Sequence, residues 1–135
     1  MIIFLCGCMI CLSWLSGVAD AADLSKCEIY KGPCMKKIDG TEMIFEITPR
    51  PVRAMEELRF SISVSGESPE NILILELAMP GMFMGINKVV LKKAADGRYY
   101  GTGIIPRCPS GKNLWSASVK LPRKGKVEFF FDVVY

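Results

Sequence analysis

From Leu58 to Val64 the chain reads Leu-Arg-Phe-Ser-Ile-Ser-Val, apolar and polar residues in strict alternation. Successive side chains of a β-strand point to opposite faces, so this pattern describes a strand with one buried and one wet face. The same period returns at Trp115, Ala117, Val119 and Leu121, and again at Val127, Phe129, Phe131, Val133 and Tyr135. In the last run Phe130 and Val134 make the second face partly apolar too, which predicts a central strand. Looser strand signals occupy 42–48, 72–78, 87–93 and 98–105. Turn chemistry divides them: Ser65-Gly66-Glu67-Ser68-Pro69, Ala95-Asp96-Gly97, Pro109-Ser110-Gly111 and Pro122-Arg123-Lys124-Gly125.

No stretch after the first two dozen residues has a helical period. Short strands at regular turn spacing predict an all-β fold, a single immunoglobulin-like antiparallel β-sandwich of about seven strands, with a small barrel as the alternative. Two apolar sheet faces closed on each other would bury Phe60, Trp115 and Phe129, side chains large enough to dominate a small core.

Residues 1–18 form an almost unbroken apolar run, and Ala19-Asp20-Ala21 follows with small residues suited to a signal peptidase. This predicts a signal peptide over 1–21 and a periplasmic or secreted protein. Were the segment retained, it is long enough for a short anchor holding the domain on the periplasmic side of a membrane. Beyond it lie 114 of the 135 residues, which suit one core: an arm over 22–40 and a β-domain over 41–135.

Once Asp20 departs, 17 Lys and Arg stand against 13 Asp and Glu, a net charge of +4 that is too mild to point to nucleic acid. The excess concentrates at Arg107, Lys112, Lys120, Arg123, Lys124 and Lys126. Lysines along solvated strand edges, where they discourage edge-to-edge pairing, account for it without an anionic partner.

Three cysteines lie within 1–21 and three beyond it, Cys27, Cys34 and Cys108, an odd number for an oxidising compartment. Cys27 and Cys34, with Gly32-Pro33 between them, form the disulfide that needs least long-range organisation. Pairing either one with Cys108 would instead staple the arm to the domain. In the first case Cys108 is a free thiol beside the cation of Arg107.

Met79-Pro80-Gly81-Met82 carries proline and glycine at the central positions of a type II turn, which brings Met79 and Met82 together. Met84 follows two residues on, on the same side of an extended chain. Three thioethers on one loop suit either a partner-binding surface that tolerates repacking or apolar filler at the end of a sandwich. They also form a candidate metal site, Met79, Met82 and Met84 with Cys108 as a fourth donor. The chain has no histidine, so imidazole sites for Cu(II) or zinc are ruled out, and Cu(I) is the cofactor left open. The same absence removes Ser-His and Cys-His catalysis. Glu56-Glu57 are adjacent and would face opposite sides of a strand, and Gly101-Thr102-Gly103 sits inside a strand, where glycine marks close backbone approach or a bulge. A non-enzymatic module is expected.

The turn Met79-Pro80-Gly81-Met82-Phe83-Met84-Gly85, the hairpin Asp96-Gly97-Arg98-Tyr99-Tyr100-Gly101 and the late strand bearing Trp115, behind a secretory leader, resemble the YtkA-like domain family of small exported bacterial proteins. The resemblance spans 41–135. It implies an immunoglobulin-like sandwich and a binding or accessory role with a protein partner in the cell envelope. Its members resemble periplasmic copper-handling domains, so the alternative it implies is a Cu(I) carrier or sensor using Met79, Met82 and Met84. Cys27, Cys34 and Cys108 lie outside the family pattern.

Overall fold

A computed structural model describes residues 26–135. The segment 1–21, expected to be a signal peptide, lies outside the described residues. Among those described there is no helix. Eight strands follow in order: β1 (Cys34–Ile38), β2 (Thr41–Thr48), β3 (Glu57–Val64), β4 (Ile72–Met79), β5 (Met82–Lys93), β6 (Tyr99–Ile104), β7 (Leu114–Leu121) and β8 (Gly125–Asp132). All pair antiparallel in one sheet of order β1-β2-β3-β6-β5-β4-β7-β8.

The all-β expectation holds. The finer picture differs from two separate sheets: the pairing is continuous, and the sheet is nearly barrel-shaped. Two places determine this. Between the two halves, β5 and β6 share only Lys92↔Tyr100 and Lys93↔Tyr99, so a two-residue joint is what makes one sheet of eight strands. At the other end β1 approaches β8, and the two outer edges nearly meet; β8, expected to be central, is thus an outer strand, and the arm and the sheet's closure half-bury its second apolar face.

That seam is filled by chain from elsewhere. Lys26 bridges Phe130 of β8 in parallel, and the Cys27 N–H donates to the Phe130 carbonyl at 2.6 Å. A Cys27–Cys34 disulfide, Cα atoms 5.8 Å apart, then ties this segment to the first residue of β1. Just beyond β8, the Val134 N–H donates to the Val52 carbonyl and the Val134 carbonyl accepts from the Ala54 N–H, so the β2–β3 connection covers the end of that edge. Lys26 and Asp132 form an exposed ion pair at 2.7 Å, whose hydrogen bond holds the lysine ammonium above its usual pKa. The arm is therefore part of the sheet's closure, and its second half is itself a strand.

The alternating residues meet inside. Met43, Phe45 and Ile47 of β2, Leu58, Phe60 and Ile62 of β3, Leu73, Leu75 and Leu77 of β4, and Val127, Phe129 and Phe131 of β8 are all buried. Phe45 stacks on Phe129 with ring centroids 4.9 Å apart, joining β2 to β8 through the interior behind the seam. Trp115 and Tyr99 are fully buried, and the Tyr99 hydroxyl donates to the Glu70 carbonyl at 2.6 Å, satisfying its polar end.

Beyond the two-residue joint, β5 crosses β6 at close range, and the glycines of β6 permit this. A β-carbon on Gly101 would overlap the Val90 carbonyl oxygen and lie 2.8 Å from Leu91 Cδ2, and one on Gly103 would lie 2.7 Å from Val89 Cγ2. Close backbone approach is what the Gly101-Thr102-Gly103 spacing implied.

Two expectations follow. Replacing Cys27 and Cys34 with serine opens a short loop, with a sequence separation of 7; loop-closure entropy puts the stability loss near ~2.5 kcal/mol. Urea unfolding followed by tryptophan fluorescence measures it, and an unchanged midpoint would show that the seam does not need the bridge. Gly101→Ala, which drives a methyl group into backbone, should cost more than about 2 kcal/mol in the same assay.

Candidate functional site

Pro80 and Gly81 connect β4 to β5, and Gly81 has φ +77°, the value that the third position of a type II turn demands. Met79 and Met82 are cross-strand partners, as the turn chemistry predicts. The ladder then breaks. From Met79↔Met82 to Leu77↔Asn87, β4 advances two residues while β5 advances five, so three extra residues loop out of β5. Gly85, at φ +77°, turns the chain within this bulge, and the Asn87 side-chain amide donates to the Met84 carbonyl at 2.9 Å to close it.

The bulge keeps the strand's alternation but exaggerates its outward half. Phe83 is 88% exposed and Ile86 82% exposed, while Met82 and Met84 turn inward and pack half-buried against the core. Met79 is only 2% exposed and belongs to the core. The three thioethers thus share the inner side of the turn at differing depths and do not form an open cup facing solvent.

Cys108 comes to the same place from the β6–β7 connection. It is a free thiol, 2% exposed, and its Sγ lies 3.9 Å from Met82 Sδ. Its position has local causes. Cys108-Pro109-Ser110-Gly111 is a turn closed by the Gly111 N–H on the Cys108 carbonyl at 3.1 Å, with proline and glycine where such turns favour them. The Ser110 hydroxyl lies 2.9 Å from Cys108 Sγ and donates to Met82 Sδ at 3.6 Å. Trp115 Nε1 donates to the Tyr135 hydroxyl at 3.2 Å, and that hydroxyl donates to the Lys112 carbonyl, so the core anchors the far end of the loop. The Arg107 guanidinium sits 5.9 Å from the centre of the Tyr135 ring.

Of the four donors read from the sequence, the structure therefore brings Met82 and Cys108 into contact, packs Met84 half-buried against the core, and buries Met79 opposite Met82. Ser110 was not anticipated; its only local signal is its place in the Pro-Ser-Gly turn. Phe83 and Ile86 were not anticipated either, and Gly85 is the residue that could have marked the bulge.

The six-cation stretch divides. Arg107 and Lys112 lie on the loop beside Met82, whereas Lys120 and Lys126 face each other across the hairpin at the opposite end, where Lys126 pairs with Glu128 and Lys124 with Thr41. No single cationic face results from that stretch. Among the described residues no three His, Cys, Asp or Glu side chains converge. Comparison with known proteins gave no match to any family model, to any curated protein or to any solved structure.

Met82 covers Cys108, so alkylation at Cys108 should be slow in the native protein and several-fold faster in Met82→Ala. Peptide mapping after timed exposure to iodoacetamide reads this directly. Equal rates would mean that the thiol is shielded by the loop itself.

Proposed function

We propose that the protein is an exported, non-enzymatic binding module of the YtkA-like kind, which docks through the β5 bulge onto a protein of the cell envelope. The family and the location rest on the motif resemblance and the apolar leader. The docking surface rests on one observation: Phe83 and Ile86 stand 88% and 82% exposed at the tip of a bulge. Leaving two large apolar side chains in water is unfavourable unless something covers them, and large apolar side chains exposed together on one short bulge suit an interaction site.

The flank defines the partner. Arg107 and Lys112 belong to the loop whose Cys108 and Ser110 contact Met82, so the proposed docking face includes a loop that carries two cations. An apolar groove rimmed by acidic side chains is the complementary surface. A phenylalanine buries roughly 150–250 Å², well short of the ~800 Å² per partner of a stable interface. The tip is accordingly an anchor, and the 107–112 loop and the half-buried edges of Met82 and Met84 supply the surrounding contact. Thioethers suit that role because they repack at little cost.

The test places a photo-crosslinking phenylalanine analogue at position 83, and separately at position 92 on the outer face of β5, in cells that make the protein. A discrete protein adduct from position 83 alone is expected, competed by added parent protein and not by a Phe83→Ser/Ile86→Ser double variant. That variant should unfold within about 0.5 kcal/mol of the parent, since exposed substitutions rarely cost more. Adducts at both positions, or labelling of lipid in place of protein, would overturn the proposal.

A further inference from the structure

We infer that Cys108 and Met82 form a thiolate–thioether site for a soft monovalent cation, Cu(I). This goes beyond docking and stands independently of it, because it uses the inner side of the bulge.

The separation of the two sulfurs carries the inference. Metal–thiolate bonds are about 2.3 Å long, and two sulfurs 3.9 Å apart on one ion then subtend about 116°. That lies between trigonal and tetrahedral angles, so one ion can bind both sulfurs with little movement of either. A linear two-coordinate ion would spread them to about 4.6 Å. The observed spacing therefore leaves room for a third soft donor, and the neighbouring thioethers are Met79, directly opposite Met82, and Met84, two residues on.

The donor set selects the ion. Thiolate and thioether prefer Cu(I) over hard cations, and the chain has no histidine to hold Cu(II). On binding, the Cys108 S–H proton leaves to solvent as the S–Cu bond forms, so one proton is released per ion and no oxidation state changes. The Ser110 hydroxyl, 2.9 Å from Sγ, is placed to donate to the resulting thiolate and orient it. Met82 and Ser110 are the more accessible members and Cys108 is buried, so the ion would reach Cys108 past their exposed edges.

The experiment uses the chain with Cys6, Cys8 and Cys11 replaced by serine, in which Cys108 is the only cysteine outside the disulfide. Cu(I) is supplied anaerobically with ascorbate, which leaves the Cys27–Cys34 bridge intact, and affinity is read by competition with a chromophoric Cu(I) chelator. One Cu(I) per chain, one proton released and a thiolate-to-metal charge-transfer band in the ultraviolet are expected. Cys108→Ser should abolish the band and weaken binding by about 100-fold or more, beyond what removal of an outer partner costs. Met82→Leu keeps the volume and should weaken binding about tenfold, whereas Met35→Leu, on exposed β1, should leave it unchanged. The Phe83→Ser/Ile86→Ser variant should bind Cu(I) as the parent does, which separates this site from docking. Absence of stoichiometric binding at micromolar protein, or equal affinity in Cys108→Ser with the fold intact by circular dichroism, would overturn the site.

Discussion

An antiparallel sheet of eight strands has two edges, and the rest of this structure depends on how they are joined. Unpaired edge groups invite pairing with other chains, and a half-closed sheet leaves its inner apolar face open to water. Here the residues ahead of β1 lie along β8, and the Cys27–Cys34 bridge prevents them from leaving. The Phe45–Phe129 stack works at the same place from inside, so the seam is held by backbone hydrogen bonds, a covalent link and aromatic burial together. With the seam closed, every inward residue of β2, β3, β4, β7 and β8 faces another.

Closure on that side sets the geometry on the other. The sheet can curl only if β5 and β6 part after two residue pairs, and the bare backbone at Gly101 and Gly103 lets β5 cross close over β6. The far end of β5 then pairs with β4 alone. A strand held on one side accommodates extra residues, and the three-residue bulge sits in that stretch. The exposed tip is in this sense a consequence of where the sheet bends.

What could be read from the sequence divides along the same line. Leu58 to Val64 and Trp115 to Leu121 are legible because the apolar residues of each share the core face, which writes period two into the residues themselves, although the structure buries Ser61, Ser116 and Ser118 of the other face as well. The type II turn at Pro80-Gly81, the Cys27–Cys34 pairing and the close approach at Gly101 are likewise local. β1 is not legible: its inward positions are Cys34, Lys36 and Ile38, each half-buried at an edge, so the apolar signal is diluted. One sheet or two turns on two residue pairs at Tyr99 and Tyr100, which no periodicity encodes. The contact of Met82 with Cys108 joins residues 26 apart through a loop anchored by Tyr135, so sequence could name both sulfurs but not bring them together.

The bulge also gives one short ribbon two unlike sides. Alternation sends Phe83 outward and Met82 and Met84 inward, so apolar tip and sulfur donors occupy opposite sides of the same backbone. Substitutions can therefore address one side without touching the other. Yet the sides share Gly85 and the Asn87–Met84 hydrogen bond, which fix the curvature of both. A partner closing over Phe83 and the 107–112 loop would also shut water away from the edge of Met82. Were an ion held at the proposed sulfur site, exclusion of water would leave fewer competing ligands and lower the local dielectric. Any coupling between the two sides would run through this ribbon, with the turn at Cys108-Pro109-Ser110-Gly111 as its second wall.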